Sequence, residues 1–592
     1  MKSKLLSQIL LLGIIFLVLP IGVNINVNAE CENIVPFFSI SLLAPTYMAG
    51  PNPWALEMQE QLPKIGIGVN LVDVTSWTEI YSRSWAYPGT LPVPTYAEGG
   101  FDILFQGWSS SLDWNPKGLY DSDSIIPSGN NVYQYSSQEM DWAISNYSSS
   151  LTAEDRNYWG AEVQSILYGD LPEISMVYPK NLVVMDDQFT SWDGVLWEND
   201  HHTMENWSIP GQTEFRYAIP SEIDDFYIYT CNSLFDEQWL NQIYTGLVTR
   251  STDPNDNHQY IPNLATTIES TDGMNYTITL NPNVKFADGV KLNATDIEYS
   301  YTIIMDPEFD NPSESIWAKN LEVQSITILD EFELKISFKE PYVFQDRNLA
   351  LPILPKHIWL NVTAEYQKSQ AANWASLTPN KLVGTGPYYL EEYNTTYDFI
   401  HLKRNNYYDD WSGITPYFED IYFEFYTNKE SALSDLENEN LDMICSHFTI
   451  QLDEIPETNC KYELVKDPSV QEMVINMNNP YFGTGELCPI ASAESARHIR
   501  RAISYMVPRE DLVNEVLFGL GEPGVTGCPS AATVFDESLL PMEYSLELAL
   551  AEMEATGIYF SYASSASIDL PYILSILGLV GCCSILFKKI KR

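Results

Sequence analysis

The chain has 592 residues and a formal net charge of −49, from 80 acidic against 31 basic side chains. That balance excludes nucleic acid as a partner, because phosphate binding needs clustered Lys and Arg; its plain consequence is solubility, in salty surroundings as well, or attraction of cationic ligands. The length gives room for two or three lobes with cores of their own, and the 13% aromatic content, carried mostly by 37 Tyr and 15 Trp, suits wet clefts, since these rings have an apolar body and a polar tip.

Met1–Lys4 is basic, Leu5–Val23 is nearly all apolar, and Val27-Asn28-Ala29 offers a small-residue cleavage site. The pattern predicts a signal peptide over residues 1–29, with an uncleaved anchor as the alternative. Cys31 invites a lipoprotein reading, but Glu30 stands where a lipobox needs Gly or Ala. Phe38–Leu43 reads as a strand, and Trp54–Ile65 as a helix that Pro63 ends. Gly66–Val74 alternates like a strand, Phe101–Phe105 reads as a buried strand, and Glu139–Asn146 and Ala153–Gly169 read as helices.

Glu198–Glu214 is polar and unpatterned, which predicts a linker. Strands then dominate to about Phe425, with Tyr276–Leu280, Leu334–Phe338 and Tyr417–Phe425 as examples, and Ile499–Phe518 is helical. Ser561–Ser567 reads as a short stalk. Ile568–Phe587 is long enough as a helix to span about 30 Å of hydrocarbon, and the basic tail 588–592 places that end in the cytoplasm. The sequence thus predicts a cell-membrane protein with one C-terminal transmembrane helix and an extracellular ectodomain, an arrangement of archaeal type.

Six sequons, at Asn146, Asn206, Asn275, Asn293, Asn361 and Asn394, fit a glycoprotein on the outside. The ectodomain has six cysteines, which allow fifteen pairings. Proximity along the chain favours Cys445–Cys460 and Cys488–Cys528. Cys582 and Cys583 fall inside the expected span and are candidates for palmitoylation or packing.

Catalytic motifs are missing from the sequence. The seven histidines are scattered, and no His-Glu-x-x-His, Gly-x-Ser-x-Gly or P-loop occurs, so an enzyme is not expected. No cysteine spacing resembles a zinc site, and neither a metal nor a cofactor is expected; His201-His202 is at most a weak surface metal contact.

Several segments resemble the extracellular solute-binding proteins of ATP-driven peptide and nickel importers, the bacterial family-5 type that includes dipeptide- and oligopeptide-binding proteins. Tyr244–Arg250 followed by Ile261–Ala265 resembles the family's opening. Phe286–Ser300 resembles its aromatic-Asp-Gly motif and the helix after it, Gly384–Tyr388 its glycine loop, and Leu402–Trp411 the segment that follows. Leu441–Ile444 and Ile499–Gly521 resemble a later strand and helix, with Asn440 standing where the family has Gly.

The order is rotated. The pattern at Tyr544–Gly557 has its family continuation at the other end of the chain, in Phe38–Val74, Phe101–Leu104 with Gly107-Trp108, Asn130–Asp141 and Leu171–Pro179. The resemblance therefore implies an α/β, bilobed periplasmic-binding-protein-like fold (type II, with accessory subdomain), circularly permuted and joined through Glu198–Glu214. A fusion of two truncated genes is the alternative. One lobe would combine residues 37–178 with 475–560, and the other, with the accessory subdomain, would span 179–474. The crossings near Tyr178–Lys180 and Val474–Asn478 would form a hinge.

By the same resemblance the protein is a monomeric receptor that captures di- or oligopeptides in an interlobe cleft and delivers them to ABC permease subunits in the membrane. Alternatives are a binding protein for an oligosaccharide or a nickel complex, and a glycosylated surface protein with a structural or adhesive role. Asp113 stands where relatives hold the peptide ammonium, with spacing shifted by about two residues; an Asx-turn or helix cap before Pro116 explains it equally. Trp108 and Trp114 are cleft walls or core, and Gly384, Gly386 and Tyr388 form a close backbone approach to the ligand or a tight turn. Asn476 and Asn478 lie near the expected hinge, while Arg500-Arg501 suits ion pairs along a helix.

Overall fold

The computed structural model describes residues 34–47, 52–253, 257–309, 317 and 321–560. The expected signal segment 1–29, Cys31, the stalk 561–567, the span 568–587 with Cys582 and Cys583, and the tail 588–592 lie outside the described residues. Among the described residues no helix is long and apolar enough to cross a membrane.

The chain divides into two compact units: Met1–Val74 with Asn479–Val507 and Tyr544–Arg592, and Thr75–Asn478 with Pro508–Glu543. The first draws on both ends of the chain. Strand β1 (Phe38–Pro45) pairs with β2 (Ile67–Thr75) and is followed by helix α1 (Pro53–Gln61), which the Asn52 side chain caps. Pro63 does not end the turn sharply; the chain tightens to a 3-10 turn over Leu62–Ile65 and leaves it through Gly66 at φ +77°.

Late residues complete this unit. Phe38 stacks on Tyr481 with ring centroids 4.2 Å apart, and the Tyr544 hydroxyl donates to Gln61 over 2.9 Å. Two late helices run over Ala493–Tyr505 and Leu546–Ala555, burying Ile499, Ala502 and Ile503 from one and Ala549 and Met553 from the other. The first ends at Tyr505, short of the expected Phe518, because Pro508 cannot donate to a fourth turn. Arg501 pairs with Glu494 on that helix, as its position suggested, whereas the Arg500 guanidinium is buried and donates to the Phe482 carbonyl.

The second unit holds a mixed α/β sheet. Its centre is a long strand, β4 (Glu173–Asp186). Alongside it, antiparallel, run two late strands, Cys460–Lys466 against Lys180–Asp186 and Ser469–Ile475 against Glu173–Val177. They are almost one continuous strand, broken at Asp467-Pro468, where the Asp467 N–H donates to the Pro179 carbonyl over 3.3 Å. Ser469–Ile475 also pairs with β3 (Ile103–Ser109), so early and late parts of the chain share this sheet. Because β4 runs unbroken through 178–180, residues 75–178 belong to the same unit as 179–478, and the unit boundaries differ from the lobe boundaries expected at 178/179 and 474/475.

Two expectations are overturned here. Residues 198–214 are no free linker: Met204 and Trp207 are fully buried, and His201 is 3% exposed. Cys445, Cys460, Cys488 and Cys528 all stand as free thiols. Met443-Ile444, just before Cys445, pairs with one side of β4, and the strand beginning at Cys460 pairs with the other. Two strand spacings, roughly 10 Å, separate them, beyond the roughly 7 Å Cα reach of a disulfide. Cys488 and Cys528 fall in different compact units.

Candidate functional site

Within the second unit lies a cavity of about 600 Å³. One wall comes from the segment expected to be a linker. Helix α2 (Gly194–Asp200), capped by the Asp193 side chain, ends with His201 at φ 54°, and Thr203 follows at φ 86°. Non-glycine residues are rarely left-handed and cost of order 1 kcal/mol each there, so the surroundings must enforce the turn. Trp197 and Trp207 do so: their rings meet edge to face 4.7 Å apart, the Trp207 indole N–H donates to Thr203 Oγ1 over 3.1 Å, and Gln242 Nε2 donates to the His201 carbonyl over 2.8 Å. The turn carries Asp200, His201, His202 and Glu205 into the lining.

Electrostatics are dominated by Arg250, which is 4% exposed at the end of the strand Val248–Arg250. Its Nε donates to Asp200 over 2.8 Å, while Nη1 and Nη2 hold both oxygens of Asp113 at 3.1 and 2.8 Å. The guanidinium also lies over the Tyr260 ring, 4.0 Å from its centroid. Two carboxylates around one cation satisfy its fork geometry, and they hold its pKa above the ordinary guanidinium value despite burial. Burial pushes His201 down to about 4, and its Nδ1 lies 3.0 Å from the Trp197 carbonyl, so that nitrogen carries the proton and Nε2 is left as an acceptor.

Other charges in the lining have no side-chain partner among the described residues. Glu237, from the helix Leu234–Leu240, is pushed up to about 7 by burial and then by the Asp200 charge, with Arg347 opposing. Glu205 is raised by burial. Arg347 forms no ion pair within the described residues. Tyr244, Tyr408 and Trp411 add aromatic surface. The cavity thus offers charged groups of both signs that form no direct ion pair among the described residues, with aromatic walls, an arrangement suited to enclosing a small zwitterionic or polar solute.

None of the eight ligand-contact candidates lines this cavity. Asp113 touches the lining residue Arg250, which occupies its carboxylate. Trp108 donates from Nε1 to the Tyr133 hydroxyl at 3.0 Å and to Glu472 at 3.1 Å. Trp114 is 2% exposed, in the core. A Cβ on Gly384 would stand 2.0 Å from the Ile243 carbonyl oxygen, and one on Gly386 2.3 Å from that of Gln242, so these glycines let the loop press on the backbone behind the cavity rather than on a ligand. Tyr388 is fully buried. Asn476 is fully buried and ties loops together, donating to the carbonyls of Phe101 at 2.7 Å and Pro94 at 2.9 Å. Asn478 donates its backbone N–H to Asn476 Oδ1 over 2.9 Å. Among the sequons Asn361 is exposed and the other five asparagines are half-buried.

Sequence reasoning missed Glu205, Glu237, Arg250 and Arg347. The signal available was Trp197 and Trp207 flanking Asp200-His201-His202, a polar run with buried anchors on both sides.

The model of the bacterial extracellular solute-binding proteins, family 5 (middle region), matches residues 259–559, about half of the chain. The glutathione-binding protein GsiB of Salmonella typhi is 26% identical over 46% of this chain and 48% of its own length. The nickel-binding periplasmic protein of Escherichia coli K12 is 23% identical over 56% and 58%, and the oligopeptide-binding protein AppA of Bacillus subtilis 23% over 44% of each. The chain spans about half the length of these curated relatives. Among solved structures, AppA from Bacillus subtilis in complex with a nonapeptide aligns at TM-score 0.38 with 17% identity, over 60% of this chain and 66% of that one. NikZ from Campylobacter jejuni in complex with Ni(L-His) aligns at TM-score 0.36 with 20% identity, over 52% and 56%.

Proposed function

Because the chain belongs to the bacterial extracellular solute-binding proteins of family 5, we propose that it is the substrate-binding receptor of an ABC importer, not an enzyme, and that it captures a short peptide and delivers it to a membrane permease. The observation that carries this reading is the cavity of about 600 Å³ with Glu205, Glu237 and Arg347 unpaired among the described residues and aromatic walls beside them. A peptide supplies both charges and tolerates such walls through backbone contacts and water. The names of the relatives, which bind glutathione, nickel or oligopeptides, set the panel of solutes to try.

The hinge of this receptor is the pair of strands running side by side, β4 at Tyr178–Lys180 and its companion at Asp467-Pro468. Closure bends both at once. The rotated order of motifs is a circular permutation; its support is that residues 38–74 share a unit with 479–507, and that β3 pairs with Ser469–Ile475. A single cooperative thermal transition is expected, and two independent ones count for a fusion of fragments. The ectodomain is extracellular, glycosylated and monomeric, held by the apolar segment 568–587.

Thermal unfolding of the full chain against dipeptides, glutathione and nickel tests the assignment. A peptide at a hundred times its Kd should add about 2.7 kcal/mol of stability. A nickel or glutathione shift with none from peptides redirects the substrate class, and no saturable shift from any solute removes the receptor reading.

A further inference from the structure

Both ends of the described chain leave the first unit side by side. A Cβ on Gly66 would stand 3.3 Å from the Phe560 ring and 3.4 Å from Ile34, so the two ends meet over that glycine. Contacts run on from there in a ring. The Ile490 N–H donates to the Thr556 carbonyl over 3.0 Å, and the Leu487 N–H donates to the Pro480 carbonyl, also over 3.0 Å. Tyr481 meets Phe37 edge to face at 6.3 Å, and the Phe37 N–H returns to the Gly66 carbonyl over 2.8 Å. The stretches 34–37, 480–490 and 556–560 therefore form one continuous face.

That face is apolar and exposed. Val35, Phe37, Leu487 and Ile490 are exposed on it, and Tyr559 is 90% exposed. Glu486 is the one charged residue in the three stretches, in a chain of which 19% is charged. A contiguous apolar patch of this kind marks a surface that meets something other than water, and what it meets follows from where the chain goes next. Residues 561–567 can reach at most about 25 Å, and the apolar stretch 568–587 begins directly after them. So short a tether holds the face at high effective concentration beside whatever 568–587 is inserted in, and a small apolar area then suffices to dock it. Tyr559 suits a membrane boundary, where rings with a polar tip collect at headgroup depth.

Resting on the reading of 568–587 as a membrane span, we propose that this face of the first unit lies against the lipid bilayer, with Val35, Phe37, Leu487, Ile490 and Tyr559 entering the boundary between headgroups and acyl chains. The receptor is then held by two contacts, a span and a docked face. The first unit lies on the membrane rather than swinging free on its stalk.

The test is hydroxyl-radical footprinting of the full chain in phosphatidylcholine nanodiscs that hold one copy each, read by mass spectrometry. Tyr559 should oxidise several-fold more slowly than Tyr397 of the second unit, although Tyr397 is the less exposed of the two at 77%. Leu487→Glu together with Ile490→Glu should bring Tyr559 up to the Tyr397 rate while the chain still co-elutes with the discs. Phe37→Glu, on a separate segment, should do the same and stands in should the double variant fold poorly. Tyr559 oxidising as fast as Tyr397 in the wild type, or staying protected in these variants, overturns the proposal while leaving the span intact. Protection that appears only when several copies share a vesicle overturns it as well and assigns the face to a second copy of the chain. A chain that does not stay with the discs overturns the span reading and this inference with it.

Discussion

Arg250 and Glu472 lie in the same compact unit at 4% and 1% exposure, yet their surroundings are opposite. Arg250 is a cation between two carboxylates, with every interaction complementary. Glu472 is a carboxylate that accepts three hydrogen bonds on Oε1, from Gln106 Nε2 at 2.8 Å, Trp108 Nε1 at 3.1 Å and the Tyr133 hydroxyl at 2.6 Å, while its Oε2 has no partner. It shares its face of the sheet with a second buried carboxylate: Glu472 pairs in register with Ser175, and Glu173 with Val474. Glu173 is held by the Gly527 N–H at 2.7 Å and the Ser175 hydroxyl at 3.0 Å. Burial raises both acids, and the charge of Glu472 raises Glu173 further, with Arg509 opposing. A buried charge with its counterion fixes geometry whatever the pH; two buried acids side by side, their burial opposed only in part by Arg509, make the stability of the sheet depend on a proton.

The largest test of this contrast is Arg250→Met. It leaves Asp113 buried without its cation, with the Tyr260 hydroxyl at 3.3 Å as a remaining donor, and should cost about 3–5 kcal/mol of unfolding free energy, read by urea denaturation at pH 7. A loss below about 1 kcal/mol would show that Arg250 is no more than an exposed pair.

At the other centre the sign reverses. The folded pKa of Glu472 lies above its ordinary 4.5, so the folded protein keeps a proton that the unfolded chain has already lost. The linked stability is full below pH 4.5 and declines as pH rises through the folded value. Glu472→Gln keeps an acceptor for the three donors and removes the charge, so it should stabilise the protein by about 2 kcal/mol at pH 8 and converge with the wild type near pH 4.5. Destabilisation at pH 8 would mean that Arg509 compensates the pair in full. A smaller effect sharpens the comparison: Tyr133→Phe deletes one of the three donors and should cost about 1 kcal/mol at pH 8, less at low pH where the acid is neutral.

Legibility from sequence followed the same division between apolar pattern and polar purpose. Period-two alternation marked Tyr276–Leu280 and Leu334–Phe338, and the strands form there because one face of each is buried. The order of motifs marked the family. The linker reading of 198–214 failed because polarity along a chain does not tell solvent from a cavity wall; Asp200 and His202 are polar there because they line the cavity, while Trp207 holds the turn from beneath. The disulfide reading failed because nearness in sequence says nothing of β4 standing between Cys445 and Cys460. Glu205, Glu237 and Arg347, which form no ion pair among the described residues, come from three distant segments and become a set only in three dimensions.

Amide hydrogen exchange of the full chain, with and without a saturating short peptide, tests the central claim most directly. Enclosure of the solute should slow exchange at residues 198–206 and 241–250, two of the backbone stretches that wall the cavity, with Gly384–Tyr388 following through its hydrogen bonds to Gln242 and Ile243. Binding that leaves both stretches unchanged and protects amides elsewhere would contradict the account.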